Sequence, residues 1–504
     1  MSQSPNPELI VALVAPLGVD LVCVEKRLSA VLAEFAYSIY PIRLSDFLHS
    51  KYKGWEGDAG ASLERYIGEH QRAGNDLRQA MRRKDALALV ALSEIAEARS
   101  KLAPEARRRV FLVRQLKTPE EVQCLRDVYG ERLVLIGITA PYEIRRRWLA
   151  DQIALSNEGS STNFTRWEEE AKKLIAIDDR EAGQEYGQNV SVTFPLADFF
   201  ALLDAPSDEK ACETLDAAFR RFLSILLGKP NASPTNEEFL MFEAHAASYQ
   251  SADRSRQVGA VIVNLEGSVI SIGRNDMPKV GGGVTPSSSY QREEEISRNI
   301  RSDTVEDILE RLKSVLSTEF VSADKLVRKQ KSMALLEGSK LFGMNEFNRM
   351  VHAEMAALTD AALRGVSVKG QMVFCTTFPC QNCAKHLMAA GLRGLYYIAP
   401  YPKSLVKDMY NDEYVELTML TLDSEQLRKH LGADKPKFMI FTYLGVAPRR
   451  YVQLFTMPIR KLPDGSTPSW ATTSAMPRIG AVGSAEYERL EREFSEPLST
   501  FRKT

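Results

Sequence analysis

Two short motifs constrain this chain more than anything else in it: His352-Ala353-Glu354 and Pro379-Cys380-Gln381-Asn382-Cys383. One imidazole, two thiols and one carboxyl stand at a spacing suited to a catalytic zinc centre, in which three protein ligands leave a fourth position open for water. A Cys-x-x-Cys pair that opens a helix holds its two sulfurs together, because positions three apart share a helix face. Residues 381–391 read as that helix, with Gly391 as its stop. The partly positive helix N-terminus lowers thiol pKa and favours the thiolates a metal needs. His352 opens a second helix that ends near Gly365. A divalent zinc, two thiolates and a neutral imidazole sum to zero charge. Zn2+ is therefore the expected cofactor, with His352, Cys380 and Cys383 as ligands and Glu354 as a carboxyl able to move protons.

Blander readings of the same residues exist. A redox Cys-x-x-Cys wants a thioredoxin-like context, which this sequence does not present. A closed structural zinc site wants a fourth ligand nearby, and His386, one helical turn after Cys383, is the candidate. Cys375 ends an apolar run and reads, like Cys23, Cys124 and Cys212, as a small core residue. His245 and His430 are isolated and read as ordinary histidines.

The chain has 504 residues, too many for one core, so two or three domains are expected. With 65 Lys+Arg against 66 Asp+Glu the net charge is -1, which gives no support to a whole-molecule polyanion binder. Six cysteines in such a length do not make a secreted disulfide framework. The start, MSQSPNPELI, lacks the basic head and cleavage site of a signal peptide, and the apolar runs fall short of a membrane span. A cytoplasmic protein with no membrane partner is expected.

Along the front half, LIVALVA (9–15), VFLVRQL and RLVLIGI read as buried strands, alternating with helices at about 21–36, 118–130 and 141–155. Residues 43–108 are charged and read as largely helical. The opening strand–loop–helix resembles that of a P-loop NTPase with a kinase-like fold, yet the loop Ala15-Pro16-Leu17-Gly18-Val19-Asp20-Leu21-Val22 keeps only Gly18. The lysine has become Leu21, the hydroxyl Val22, and an acid, Asp20, stands where phosphate is cradled. Gly18 is the one candidate nucleotide contact there, ATP hydrolysis is not expected, and the domain reads as structural or regulatory.

A linker at 228–235, GKPNASPT, separates the halves. A helix follows, capped by Thr235 or Asn236 with Glu238 in its first turn. VGAVIVN and SVISIGRN then form a strand pair around Leu265-Glu266-Gly267. Residues 276–350 interrupt this half, beginning with Gly281-Gly282-Gly283 and Ser287-Ser288-Ser289, a tract expected to be mobile and able to serve as a lid. Residues 436–504 add a strand, KFMIFTYLGV, and a Pro/Ser-rich stretch with no functional reading.

On these residues a resemblance becomes specific. SADRSRQVGAVIVNLEGSVISIGRN (251–275) and TTFPCQNCAKHLMAAGLRGLYYIAPYPKS (376–404) resemble deoxycytidylate deaminases. Combined with the P-loop-like front half, the chain is similar to the bacterial anti-phage dCTP deaminases. The resemblance implies an α/β fold: a P-loop kinase-like parallel-sheet domain over 1–228 and a cytidine-deaminase-like α/β/α domain over 235–504, with the insertion at about 276–350. It implies deamination of dCTP, and of dCMP, to deoxyuridine nucleotides, so that phage DNA synthesis starves. It places Glu354 beside the attacking water, lets Asn275 hydrogen-bond the base or sugar, and lines the pocket with the Gly259-Ala260 backbone. A homo-oligomer is expected, with restraint by an inhibitory RNA, a nucleotide or self-assembly; DNA binding is not.

Nucleotide phosphates call for cations at the pocket mouth. Arg254, Arg256, Lys279 and Lys403 flank the motifs, and Lys403, after the last core strand, ranks first. Two other functions stay open. A polynucleotide deaminase would use aromatic platforms, for which Tyr396, Tyr397 and Tyr401 are the nearest rings. A non-catalytic nucleotide sensor would use the same pocket, against which the intact Glu354 argues.

Overall fold

Six apolar residues in succession, LIVALV, make Leu9–Val14 a strand (β1) buried on both faces, as the centre of a parallel sheet requires. The computed structural model describes residues 7–52, 62–103, 108–158, 164–181, 184–253, 255–285, 290–312, 349–400, 404–418, 422, 424–433, 435–457, 459, 461–478 and 484–503. These divide into two compact units, Met1–Glu238 with Tyr443–Thr504, and Phe239–Thr442.

In the first unit, β2 (Ser38–Arg43), β3 (Arg109–Arg114), β4 (Leu133–Thr139) and β5 (Phe199–Leu202) join β1 in a parallel sheet of order β5-β4-β1-β3-β2. The loop after β1 turns at Gly18, whose φ is +95°, and enters the helix Leu21–Glu34. Asp20 is that helix's N-cap, its carboxylate accepting from the backbone N–H groups of Val22 and Cys23 at 3.0 Å. The acid expected to repel phosphate is thus also a helix-capping device. A capping box, Thr118 with Glu121, opens the helix Pro119–Tyr129. Sequence patterning did not single out β2 and β5. β2 is an edge strand carrying Pro41, and its alternation is blurred by exposure; β5 is only four residues long.

In the second unit, β6 (Gly259–Val263) and β7 (Val269–Arg274) form an antiparallel pair. A small hairpin, β8 (Met277–Pro278) and β9 (Val284–Thr285), turns through Gly281, Gly282 and Gly283, all at positive φ. The glycine tract is therefore the turn of a hairpin, while Ser287-Ser288-Ser289 lie outside the described residues. β10 (Met372–Thr377) pairs antiparallel with β6 and parallel with β11 (Gly394–Ala399). β12 (Tyr414–Leu417) and β13 (Phe438–Thr442) complete a sheet of order β12-β13-β11-β10-β6-β7. The helix Ala353–Leu363 packs on β6 and β7.

The expected strand KFMIFTYLGV splits in two. Phe438–Thr442 belongs to the second sheet, whereas Gly445–Val446 (β14) pairs antiparallel with β5 of the first. Residues 443–504 accordingly fall in the first unit, not in the domain 235–504 that the sequence suggested. The physical cause is burial. Leu454 of the helix Pro448–Phe455 and Tyr487 and Leu498 of the helix Ser484–Lys503 are almost wholly buried, and the latter helix packs on Ala86–Ser100. No described helix is long and apolar enough to cross a membrane.

Candidate metal centre and active site

Both motif histidine and first motif cysteine cap helices. His352 has extended backbone (φ -68°, ψ 154°), and its carbonyl accepts the first helical bond from Ala356 at 2.8 Å. Its neighbour Val351 is pinned to Asp276 by a two-bond bridge of 2.9 and 3.1 Å, just after β7. Cys380 is likewise extended (φ -73°, ψ 163°), and its sulfur accepts from the Cys383 N–H at 3.4 Å. The helix Gln381–Ala389 that Cys380 caps connects the parallel strands β10 and β11.

The result is a convergence of donors. His352 Nδ1 lies 3.3 Å from the Cys380 sulfur and 3.4 Å from that of Cys383. One ligand atom from each of the three falls within 4.8 Å of the others. Both sulfurs and the Glu354 carboxyl are buried. His386 is not in this group: its Nδ1 lies 2.6 Å from the Asn382 carbonyl in its own helix.

The charges fit a cation. The Cys383 thiol, with His352 beside it, holds Cys380 down at about 4 despite burial. The Cys380 sulfur raises His352 to about 9 against the opposing effect of burial. Its bond to Cys380, together with burial, pushes Cys383 well above the ordinary thiol range. Fully deprotonated, the three groups offer a divalent ion two thiolates and a neutral imidazole, the donor set of a tetrahedral zinc site with one open position. Burial also raises the Glu354 carboxyl above its ordinary value, toward the range of a general acid–base.

The other expected site residues are distributed unevenly. Asn275 is buried, and its carboxamide is engaged within the chain: Oδ1 accepts from Val258 N–H at 2.7 Å, and Nδ2 donates to Asp253 at 2.9 Å and to the Arg256 carbonyl at 2.7 Å. It ties Asp253, Arg256 and Val258 together. Arg256 is brought to the motif, donating to Thr377 Oγ1 at 2.9 Å, three residues before Cys380. Gly259 and Ala260 are buried in β6, where a side chain at Gly259 would meet the Ala244 carbonyl oxygen at 1.9 Å, so helix packing already demands that glycine. Lys279 is exposed in the β8–β9 turn. Arg254 and Lys403 lie outside the described residues. Gly18 belongs to the first unit.

Two positions that support the site were not singled out in the sequence. Gly273 on β7 faces the start of the His352 helix, where a Cβ would sit 2.2 Å from the Ala353 carbonyl oxygen. Asp276, fully buried, accepts from Arg274 and holds the turn that meets Val351. The G-R-N-D run was the available signal, a glycine near a strand end marking close backbone approach. Of the three tyrosines, Tyr396 is stacked in the core between Phe374 and Phe441, Tyr397 packs edge-on against Phe378, and Tyr401 lies outside the described residues.

Residues 234–399 match the family model for the cytidine and deoxycytidylate deaminase zinc-binding region. Deoxycytidylate deaminase of Enterobacteria phage T2 is 33% identical over 162 residues, covering 32% of this chain and 78% of the relative. The human deoxycytidylate deaminase is 25% identical, covering 32% of this chain and 64% of its own. A dCMP deaminase from the cyanophage S-TIM5, solved with dCMP and dUMP, aligns over 41% of this chain and 98% of its own at 20% identity and a TM-score of 0.23.

Proposed function

The chain belongs to the cytidine and deoxycytidylate deaminase family, and from that premise we propose that it hydrolytically deaminates free deoxycytidine nucleotides, dCTP and dCMP, to deoxyuridine nucleotides. The observation that carries this reading is the convergence of His352 Nδ1 and the Cys380 and Cys383 sulfurs within 4.8 Å, with Glu354 buried two residues from the imidazole. Zinc held by those three donors would supply Lewis acidity and lower the pKa of water there to about 7.

The chain's own residues do the rest. Glu354, as a carboxylate, takes a proton from the water that adds to C4 of the cytosine ring. As an acid it returns that proton to ring N3; it then carries the proton of the added C4 hydroxyl to the amino group, so that the C4–N bond breaks, ammonia leaves and the C4 carbonyl forms. Burial suits the group to both directions, because its raised pKa brings acid and base forms closer to balance at neutral pH. Arg256, beside Thr377, is the described cation best placed for a substrate phosphate. Asn275 fixes the loop that carries it.

Depletion of dCTP as a defence against phage is the biological setting we propose, with restraint by an RNA, a nucleotide or self-assembly. The reading is tested by supplying dCTP, dCMP, cytidine and single-stranded DNA in parallel and measuring ammonia and uracil products. Product from free dCTP or dCMP alone supports it. Product only from the polymer favours a polynucleotide deaminase, and none from zinc-loaded protein favours a sensor.

A further inference from the structure

The first unit contains a cavity of about 360 Å3 that no part of the deaminase chemistry uses. It opens at the carboxyl ends of β1, β2 and β3. Leu17 follows β1, Arg43 ends β2, and Arg114 ends β3. In open parallel sheets this is where ligands bind, in the crevice at the point where connections turn to opposite sides. Here β1 stands between β3 and β4, with β2 beyond one and β5 beyond the other. The volume falls within the range of small-ligand sites.

The cavity is not an ATP cradle. The Leu17 N–H, in the loop where a P-loop would hold phosphate, already donates to the Asp178 carboxylate at 2.7 Å. Asp178 also takes the ammonium of Lys117, and the Leu17 carbonyl accepts from Arg145 at 2.9 Å. The chain has filled that loop from within.

The cations on the β2–β3 side are differently placed. Arg43 and Arg114 share a single carboxylate, Glu25, at 3.0 and 3.2 Å. Two guanidiniums against one acid leave one positive charge, and both reach the cavity wall; Asp46 is exposed at the rim. A second feature is independent of charge. Gln71 and Gln188 line the cavity, are 8% and 5% exposed, and have carboxamide oxygens with no hydrogen-bond partner. A buried acceptor left without a donor costs on the order of 1–3 kcal/mol, so a ligand offering N–H or O–H groups is favoured. Tyr66, its ring 4.1 Å from that of His70, adds an aromatic wall.

We propose that this cavity binds a nucleoside monophosphate, with the phosphate at Arg43 and Arg114 and the base or sugar donors at Gln71 and Gln188. The three requirements of such a ligand, an anion, a planar ring and several neutral donors, match the three kinds of wall. This site is separate from the His352 centre and does not depend on the deaminase reading.

Calorimetric titration of the full chain with dTMP, dAMP and dGMP tests it, with inorganic phosphate and thymidine as separate arms. The same titrations are run on Arg114→Met, Tyr66→Ala and His352→Ala. Binding of at least one mononucleotide, retained in His352→Ala and weakened at least tenfold in both first-unit variants, is the expected result. Arg114 also pairs with Glu25, so circular dichroism first establishes that its variant is folded; if it is not, the partly exposed Tyr66 decides alone. The proposal is overturned if no mononucleotide binds, if a folded first-unit variant binds as tightly as the parent, if binding is lost in His352→Ala, or if phosphate or thymidine alone binds as tightly as the nucleotide.

Discussion

Gly273 and Ala353 approach so closely that a single methyl group on the glycine would lie 2.2 Å from the Ala353 carbonyl oxygen and 2.3 Å from the Ala357 nitrogen. The obstacle is helix backbone, which cannot swing aside as a side chain can. Gly273→Ala must therefore push the Ala353–Leu363 helix off the sheet, and His352 and Glu354 move with it. Overpacking of this kind costs ~1–3 kcal/mol or more. The expected outcome is a lower melting temperature for the second unit together with less than one zinc per chain by elemental analysis. Full zinc content at an unchanged melting temperature would show that the contact is relieved without moving the helix.

Glu354 is buried beside the donor cluster but is not one of its three members. Glu354→Gln preserves the shape and removes the group proposed to carry protons. Turnover of dCMP or dCTP should fall by roughly 10²–10⁴, the usual contribution of general acid–base catalysis, while zinc content stays at that of the parent. Parental turnover in this variant would remove the residue from the mechanism.

Losing a ligand should look different. In Cys380→Ala the cluster keeps one sulfur and one nitrogen, and the N-cap acceptor for the Cys383 N–H disappears as well. Zinc should be lost, and the second unit should melt earlier than in Glu354→Gln, because metal binding to a folded site is also folding free energy. Treating the parent with a chelator should reproduce the same shift, and restoring zinc should reverse it in the parent only.

The legibility of this molecule follows the range of the interactions. Cys380 and Cys383 were readable because their relation is local, one turn of one helix, and His352 because it opens the next recognisable helix. The bridge between Asp276 and Val351 was not readable, since it joins residues separated by an insertion of unpatterned charge. Asn275 was expected to meet substrate, and nothing in the local sequence signals that its carboxamide bonds Val258, Asp253 and the Arg256 carbonyl. The front sheet was legible from β1, β3 and β4, each of which carries a run of at least four buried apolar residues, and illegible at β2, where Pro41 and exposure hide an edge strand. KFMIFTYLGV reads as one strand by composition. Its break follows from Gly445, at φ +118°, and from pairing partners 200 or more residues away for the second piece, none of which a local pattern contains.

Acid should weaken the second unit through His245. Burial lowers its pKa below the ordinary value of 6.5, and its Nε2 lies 2.9 Å from the Tyr249 hydroxyl. The unfolded chain takes up the proton near 6.5, before the folded one does. The stabilisation of the neutral ring is therefore present above that pH and is lost as pH falls through 6.5 toward the lower folded value. Between pH 7.5 and 5 the melting temperature of the parent should fall further than that of His245→Gln. Parallel curves would show that His245 carries none of the acid sensitivity.

The C-terminal helix should prove integral to the first unit. Glu491 is 1% exposed and forms an ion pair with Arg99, while its other oxygen accepts from the Tyr129 hydroxyl at 2.7 Å. Arg99 is buried too and keeps a second partner, Glu8, at 2.9 Å. In Glu491→Ala, then, the guanidinium is not left wholly unpaired, but the Tyr129 hydroxyl loses its acceptor. Removing one member of a buried pair costs ~3–5 kcal/mol, and the surviving Glu8 contact places this case toward the lower figure. Denaturant unfolding of Glu491→Ala should show that loss in the transition of the first unit. Glu491→Gln, which retains an acceptor for Tyr129 but not the charge, should fall between it and the parent. If both variants unfold with the parent, the Glu491 contacts to Arg99 and Tyr129 contribute nothing to the stability of the first unit.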